Sequence, residues 1–118
     1  MTSQVERRRH PRISTDLPLQ LTFRDATVDT RIRDLSSSGI RFRAAAPLPL
    51  LSRVQIALEL PDTKGSASAS SLAITGVVVR CAEIEGGAPA PFDTAIYFED
   101  LSERARGQLA RFVDANLV

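Results

Sequence analysis

The sequence has 118 residues with 15 basic and 14 acidic side chains, which gives a formal net charge of +1. This length fits one domain with a single core. A net charge so close to zero does not produce the positive electrostatic field expected of a general nucleic-acid binder. The longest nearly uninterrupted apolar run, residues 44–51, contains two prolines and is far shorter than the ~20 residues that span a bilayer. No apolar signal segment follows the basic N-terminus, so we expect a cytoplasmic protein without membrane insertion.

Alternation of apolar and polar residues predicts six β-strands. Leu19, Leu21 and Phe23, for example, alternate with polar side chains, which is the period of a half-buried strand. Gly76 is expected to form a bulge or bend, and the serine-rich residues 62–71 are expected to form a flexible hairpin loop. The predicted strands are residues 17–23, 27–34, 40–43, 54–60, 72–84 and 92–98.

The end of the chain carries the pattern of an amphipathic helix. Ser102 can cap it, and the apolar residues that follow recur at helical spacing. These are Ala105, Leu109, Phe112, Val113 and Leu117. Six short strands and one terminal helix predict a mainly β fold, a small antiparallel barrel with the helix packed across one opening or flank. We expect a basic arm over residues 1–16 and a single barrel domain over residues 17–118, with its helix at about 102–117.

The arm concentrates arginine in the run Arg7-Arg8-Arg9-His10-Pro11-Arg12. A guanidinium group can grip a phosphate with two hydrogen bonds and can stack on a base. Pro11 disfavours a continuous helix through the run, because the residue before a proline is pushed toward extended conformations. The functional interpretation is an irregular arm that closes over a phosphate-bearing ligand. The alternative is a solvated basic tail.

A second candidate motif is Asp34-Leu35-Ser36-Ser37-Ser38-Gly39, which follows the second predicted strand. Its residue types are also good turn formers, because Asp and Ser bond nearby backbone groups and Gly adopts positive φ. In the functional interpretation the Asp34 carboxylate accepts from N1–H and the N2 amine of guanine. Ser36 then bonds a phosphate or base atom, and Gly39 lets the backbone approach closely. Arg41 or Arg43, on the outer face of the next strand, can add positive charge.

The two motifs together resemble the signature of the PilZ domain, the bacterial receptor for cyclic di-GMP. The matching pattern is Arg8-x-x-x-Arg12 followed by Asp34-x-Ser36-x-x-Gly39. The resemblance implies a six-stranded barrel with a C-terminal helix. It also implies that Arg8 and Arg12 contact phosphates and stack on guanine, and that Asp34, Ser36 and Gly39 surround a guanine base.

The resemblance further implies a receptor without an output domain of its own, which changes conformation on binding and signals to a partner protein. The output would be motility, pilus function, polysaccharide synthesis or another biofilm-related process. An arginine at position 7 accompanies a pair of intercalated ligands in such domains, so we expect two cyclic di-GMP molecules per chain. The predicted ligand-binding set is Arg7, Arg8, Arg9, Arg12, Asp34, Ser36, Gly39 and Arg41.

Three other classes compete with this interpretation. An enzyme is disfavoured because the sequence has a single histidine, no nucleophile paired with a base and no metal-ligand cluster; we expect no catalytic residue, metal or cofactor. A nucleic-acid-binding barrel is disfavoured by the aromatic residues, which are five Phe and one Tyr. Nearly all of them lie at positions whose spacing predicts burial in the core, so no aromatic surface is left on which bases could stack. A ligand-independent adaptor, in which both motifs are vestigial, stays open.

Overall fold

A computed structural model describes residues 11–61 and 69–117, which form seven strands and one helix. The strands are β1 (Arg12–Ser14), β2 (Pro18–Phe23), β3 (Ala26–Ser36), β4 (Gly39–Ala44), β5 (Arg53–Pro61), β6 (Ala69–Glu83) and β7 (Phe92–Glu99). The helix is α1 (Glu103–Asn116). Residues 69–71, expected in the loop over 62–71, instead belong to β6. Residues 62–68 of that loop lie outside the described ranges.

The strands close into an antiparallel barrel. The order in the sheet is β1-β3-β2-β5-β6-β7-β4, and an additional pairing of β3 with β4 closes the cylinder. Strands β2 to β7 are the six barrel strands, which confirms the predicted barrel with a C-terminal helix. The additional strand, β1, lies within the predicted arm and has three residues. Such a segment is too short for an alternation of apolar and polar residues to be visible in the sequence.

The core is filled by alternate residues of the strands and is covered by α1. In β5 every second side chain is buried, from Val54 to Leu60, as the period of two requires. Helix α1 contacts β1 and β3, and its Leu109 is fully buried. The Ser102 Oγ accepts a hydrogen bond from Ala105 N at 3.0 Å, which is the predicted N-cap. Leu117 was expected on the buried stripe, but it follows the helix end in extended backbone and is exposed.

Two β-bulges change which side chains reach the outer surface. In β3 the register with β4 shifts between Ile32 and Asp34, so Arg33 is the extra residue. In β6 the register with β7 shifts between Val78 and Arg80, so Val79 is the extra residue. The bend predicted at Gly76 is thus wrong in position. A Cβ at Gly76 would overlap the Ile96 side chain, so that glycine serves core packing.

Gly39 begins β4 where that strand approaches β7 closely. A Cβ built on Gly39 would overlap the backbone carbonyl oxygen of Ile96, and backbone atoms of a paired strand cannot move aside as a flexible side chain can. The sequence predicts that Gly39 lets the backbone approach a ligand closely. The structure shows that the close approach is to the neighbouring strand of the barrel.

We therefore predict that Gly39→Ala lowers the free energy of unfolding by roughly 1–3 kcal/mol, because the added methyl group forces β4 and β7 apart. Gly107→Ala is the matched control: it lies in α1, where the nearest neighbour of an added Cβ is Arg111 Nη1 at 3.4 Å. That variant should be neutral or stabilising by up to ~1 kcal/mol. Urea denaturation of both variants checks this, and a Gly39→Ala protein as stable as the parent would contradict it.

Candidate functional site

Strand β1 brings the two sequence motifs together. It pairs antiparallel with the end of β3, with Arg12 opposite Ser36 and Ser14 opposite Asp34. Between them Ile13 is buried at 6% exposure, which anchors the strand to the core. Arg12 of the first motif therefore lies beside the second motif. Arg7, Arg8, Arg9 and His10 lie outside the described residues.

Ser36 builds the turn between β3 and β4. Its Oγ accepts hydrogen bonds from Ser38 N at 3.1 Å and from Gly39 N at 3.2 Å. It also lies 3.1 Å from Ser38 Oγ, and the residue is only 2% exposed. The carbonyl of Ser38 accepts from Phe98 N at 2.9 Å, which ties the hairpin to the end of β7. The hydrogen bonds within this motif are therefore those expected of a turn.

Asp34 is the first member of a row of four alternating charges across the outer face of the barrel. Arg41 Nε donates to Asp34 Oδ2 at 2.8 Å, and Arg41 Nη1 lies 3.4 Å from Asp93 Oδ1. Arg80 Nε lies 3.6 Å from Asp93 Oδ2. We call these four residues, Asp34, Arg41, Asp93 and Arg80, the charge row. Arg41, predicted as a cation for the ligand, is thus shared between two carboxylates in this structure.

Asp93 is a site residue that the sequence analysis missed. Its side chain is only 7% exposed, although it lies on a strand whose neighbouring inward position, Thr94, is also buried. A carboxylate this buried is costly unless it is paired, and the two arginines of the charge row provide that pairing. No sequence signal marks Asp93, because its burial depends on side chains from β4 and β6 lying over it.

Arg43, the other arginine predicted to add positive charge, contacts a loop of the barrel in this structure. Its Nε donates to Ala90 O at 2.9 Å and its Nη2 donates to Gly87 O at 3.4 Å. Both carbonyls belong to the loop between β6 and β7. Arg43 therefore fixes a loop, and these contacts account for its basic side chain without a ligand.

An open cavity of about 610 Å³ lies beside Asp34, at the junction of β1, β3 and β4. Arg33, the bulge residue of β3, is exposed on its wall and forms no ion pair with any residue in the described ranges. Arg31 donates to the Asp16 carbonyl at 2.6 Å. The cavity is lined by Ser14, Thr15, Asp16, Arg31, Ile32, Arg33, Asp34 and Arg41. Its polar, charged wall suits an anionic ligand better than an apolar one.

The described residues show neither a metal-ion cluster nor a membrane-spanning helix. No group of three or more His, Cys, Asp or Glu side chains among them could hold a metal ion. None of the helices in residues 11–61 and 69–117 is long and apolar enough to cross a membrane.

The barrel topology and the two motifs agree with a family match that covers residues 6–115 and therefore nearly the whole chain. The chain belongs to the PilZ domain family. PilZ domains are ligand-binding adaptors and generally not enzymes. No curated protein sequence matches this PilZ domain.

Solved structures share the fold of this PilZ domain at low sequence identity. The Bacillus subtilis inhibitor of motility MotI/DgrA matches with a TM-score of 0.76 and 15% identity, over 92% of this chain and 49% of that one. The PilZ domain of YcgR from Escherichia coli, solved with c-di-GMP, matches with a TM-score of 0.69 and 22% identity, over 93% and 91% of the chains. The PilZ domain of CeSA from a cellulose-synthesizing bacterium has a TM-score of 0.62 and 17% identity, over 87% and 94%. The chain thus spans about half the length of MotI/DgrA.

Because the Ser36 hydroxyl serves two backbone amides in a buried turn, we predict that Ser36→Ala destabilises the fold by about 1–3 kcal/mol through the unsatisfied donors. Ser38→Ala is the control, since it removes a hydroxyl from the same turn and leaves both amide hydrogen bonds in place. Urea denaturation compares the two variants. Equal stability of Ser36→Ala and Ser38→Ala would show that the two amides find other acceptors.

Proposed function

We propose that this PilZ domain is a cyclic di-GMP receptor that binds its ligand where β1 meets the β3–β4 hairpin. The observation that supports the proposal is the pairing of Arg12 with Ser36, which brings this arginine of the first motif beside the second motif. The charged cavity next to this pair is lined by Ser14 and Asp34, which are opposite each other in the same two strands, and it offers space for a ligand. The related PilZ domain of YcgR was solved with c-di-GMP, which supports the same ligand here.

The positive charge for the phosphates comes mainly from the arm in this proposal. The charge row holds two carboxylates and two guanidinium groups, so it adds no net charge to the surface. Arg12 and the arm residues Arg7, Arg8 and Arg9 supply cations that can bind phosphate through two hydrogen bonds. Arg33 adds one more from the wall of the cavity. Asp34 binds the Watson–Crick edge of guanine through its carboxylate.

Signalling follows from the position of β1. The strand contacts β3 on one side and is also in contact with α1, so ligand binding next to β1 can alter the surface around the helix. We propose that a partner protein in the bacterial cytoplasm reads this change, with motility or polysaccharide synthesis as output. The relatives MotI/DgrA, an inhibitor of motility, and CeSA, from a cellulose-synthesizing bacterium, support these two outputs.

We predict that Arg8→Ala and Arg12→Ala each weaken cyclic di-GMP binding by roughly 10- to 150-fold, because each removes charge-assisted hydrogen bonds worth about 1.5–3 kcal/mol. Isothermal titration calorimetry with cyclic di-GMP measures the affinities. Arg53→Ala is the control, since Arg53 is an exposed strand arginine whose Nε lies 3.1 Å from Glu99 Oε1. This variant should bind cyclic di-GMP as the parent does.

The same titration separates the competing classes. A folded parent that binds no cyclic di-GMP would be a ligand-independent adaptor, and the proposal would fail. Parent-like binding by both arm variants would instead show that the ligand lies elsewhere on the barrel.

The stoichiometry depends on Arg7 in this proposal. Two intercalated ligands bring four phosphates into one site, and their repulsion requires several nearby cations. We predict two cyclic di-GMP molecules per parent chain and a shift toward one in Arg7→Leu, with binding retained. Calorimetric stoichiometry checks this. A parent that binds one ligand, with no change in the variant, would remove the argument for Arg7.

A further inference from the structure

Both ends of the charge row are brought to the outer face of the barrel by the two β-bulges. In β3 Ile32 faces the core, and in a strand of unbroken alternation Asp34, two residues later, would face inward as well. Because Arg33 is an extra residue, Asp34 faces outward instead. In β6 Val78 faces the core, and the extra residue Val79 shifts the alternation so that Arg80 faces outward. Bulges re-aim side chains in this way next to functional sites. The two irregularities together create a continuous row of charges from β3 to β6.

The centre of the row is its most buried part. Asp93 is 7% exposed, whereas the side chains at the two ends, Asp34 and Arg80, are 22% and 62% exposed. A buried carboxylate fixes its partners more firmly than an exposed one, because solvent screens the interaction less. Asp93 therefore restrains the guanidinium plane of Arg41 from the side opposite Asp34.

Arg41 in turn fixes the carboxylate of Asp34. Its Nε donates to Oδ2 at 2.8 Å, and its Nη1 is directed toward Asp93. A planar guanidinium that serves two carboxylates through different nitrogens has little freedom to rotate. Asp34 at the cavity is thus linked through Arg41 to a carboxylate on β7, the strand on the far side of β4.

We propose that Arg41 and Asp93 are positioning residues that hold Asp34 in the orientation needed to recognise guanine. This inference rests on the proposed function, and it changes the role expected of Arg41 from a phosphate contact to a restraint on a carboxylate. It predicts that a variant on β7 alters base selectivity at a site formed by β1, β3 and β4. Adenine offers neither N1–H nor the N2 amine, so binding of cyclic di-AMP serves as the reference for selectivity.

The test measures affinities of the full chain for cyclic di-GMP and cyclic di-AMP by calorimetry. Asp93→Asn should weaken cyclic di-GMP binding by about 3- to 10-fold, a typical coupling within one network, and leave cyclic di-AMP binding unchanged. Arg41→Ala should do the same, and Asp93→Asn should cause no further loss when Arg41 is already Ala. Arg41→Lys keeps the charge but lacks the two-nitrogen fork, so it should restore little of the selectivity.

Glu99→Gln is the matched control, because Glu99 is another β7 carboxylate whose partner is an arginine, Arg53 at 3.1 Å. It should bind both nucleotides as the parent does. Thermal unfolding of each variant is measured in parallel, and if Asp93→Asn does not fold, the Arg41 variants give the same test through a partly exposed side chain. Parent-like selectivity in Arg41→Ala, or full selectivity in Arg41→Lys, would overturn the inference while cyclic di-GMP binding stands. A parent that binds no cyclic di-GMP would overturn the proposed function and this inference together.

Discussion

The pairing of β1 with the end of β3 is the constraint on which the site depends. Three residue pairs join the strands, and the side chain of Ile13 secures them to the core. This pairing holds Arg12 of the first motif beside Ser36 of the second. Because a three-residue strand gains little from its own hydrogen bonds, the burial of one apolar side chain has to supply most of its stability.

The residues of the second motif make contacts that stabilise the fold itself. Ser36 holds the turn through two backbone amides, and Gly39 permits the close contact with β7. Asp34 is engaged by Arg41. A site built in this way is preorganised, since its polar groups are oriented by the barrel rather than by the ligand. If the proposed function holds, the same residues affect both stability and binding, so the two must be measured separately in every variant.

In the role proposed for the charge row, a buried carboxylate contributes to specificity. Asp93 pairs with arginines from β4 and β6, and such buried pairs contribute little net stability because desolvation offsets the attraction. Their value lies in fixing geometry. In this barrel the row crosses from β6 to β3 and ends with Asp34 at the cavity wall. Strands distant in sequence are therefore linked to this carboxylate through paired charges.

The sequence by itself determined the barrel, the capped terminal helix and the membership suggested by two spaced motifs, because alternation, capping and turn chemistry are local properties. The strand alternation around Leu19, the helix cap at Ser102 and the turn at Ser36 can each be recognised from a few neighbouring residues. Only the tertiary structure decided that Arg12 lies beside Ser36, that Arg41 faces two carboxylates and that Asp93 is buried. The physical reason is that these features arise from strand register and from bulges, which depend on pairing between distant segments and leave no periodic signal in the chain.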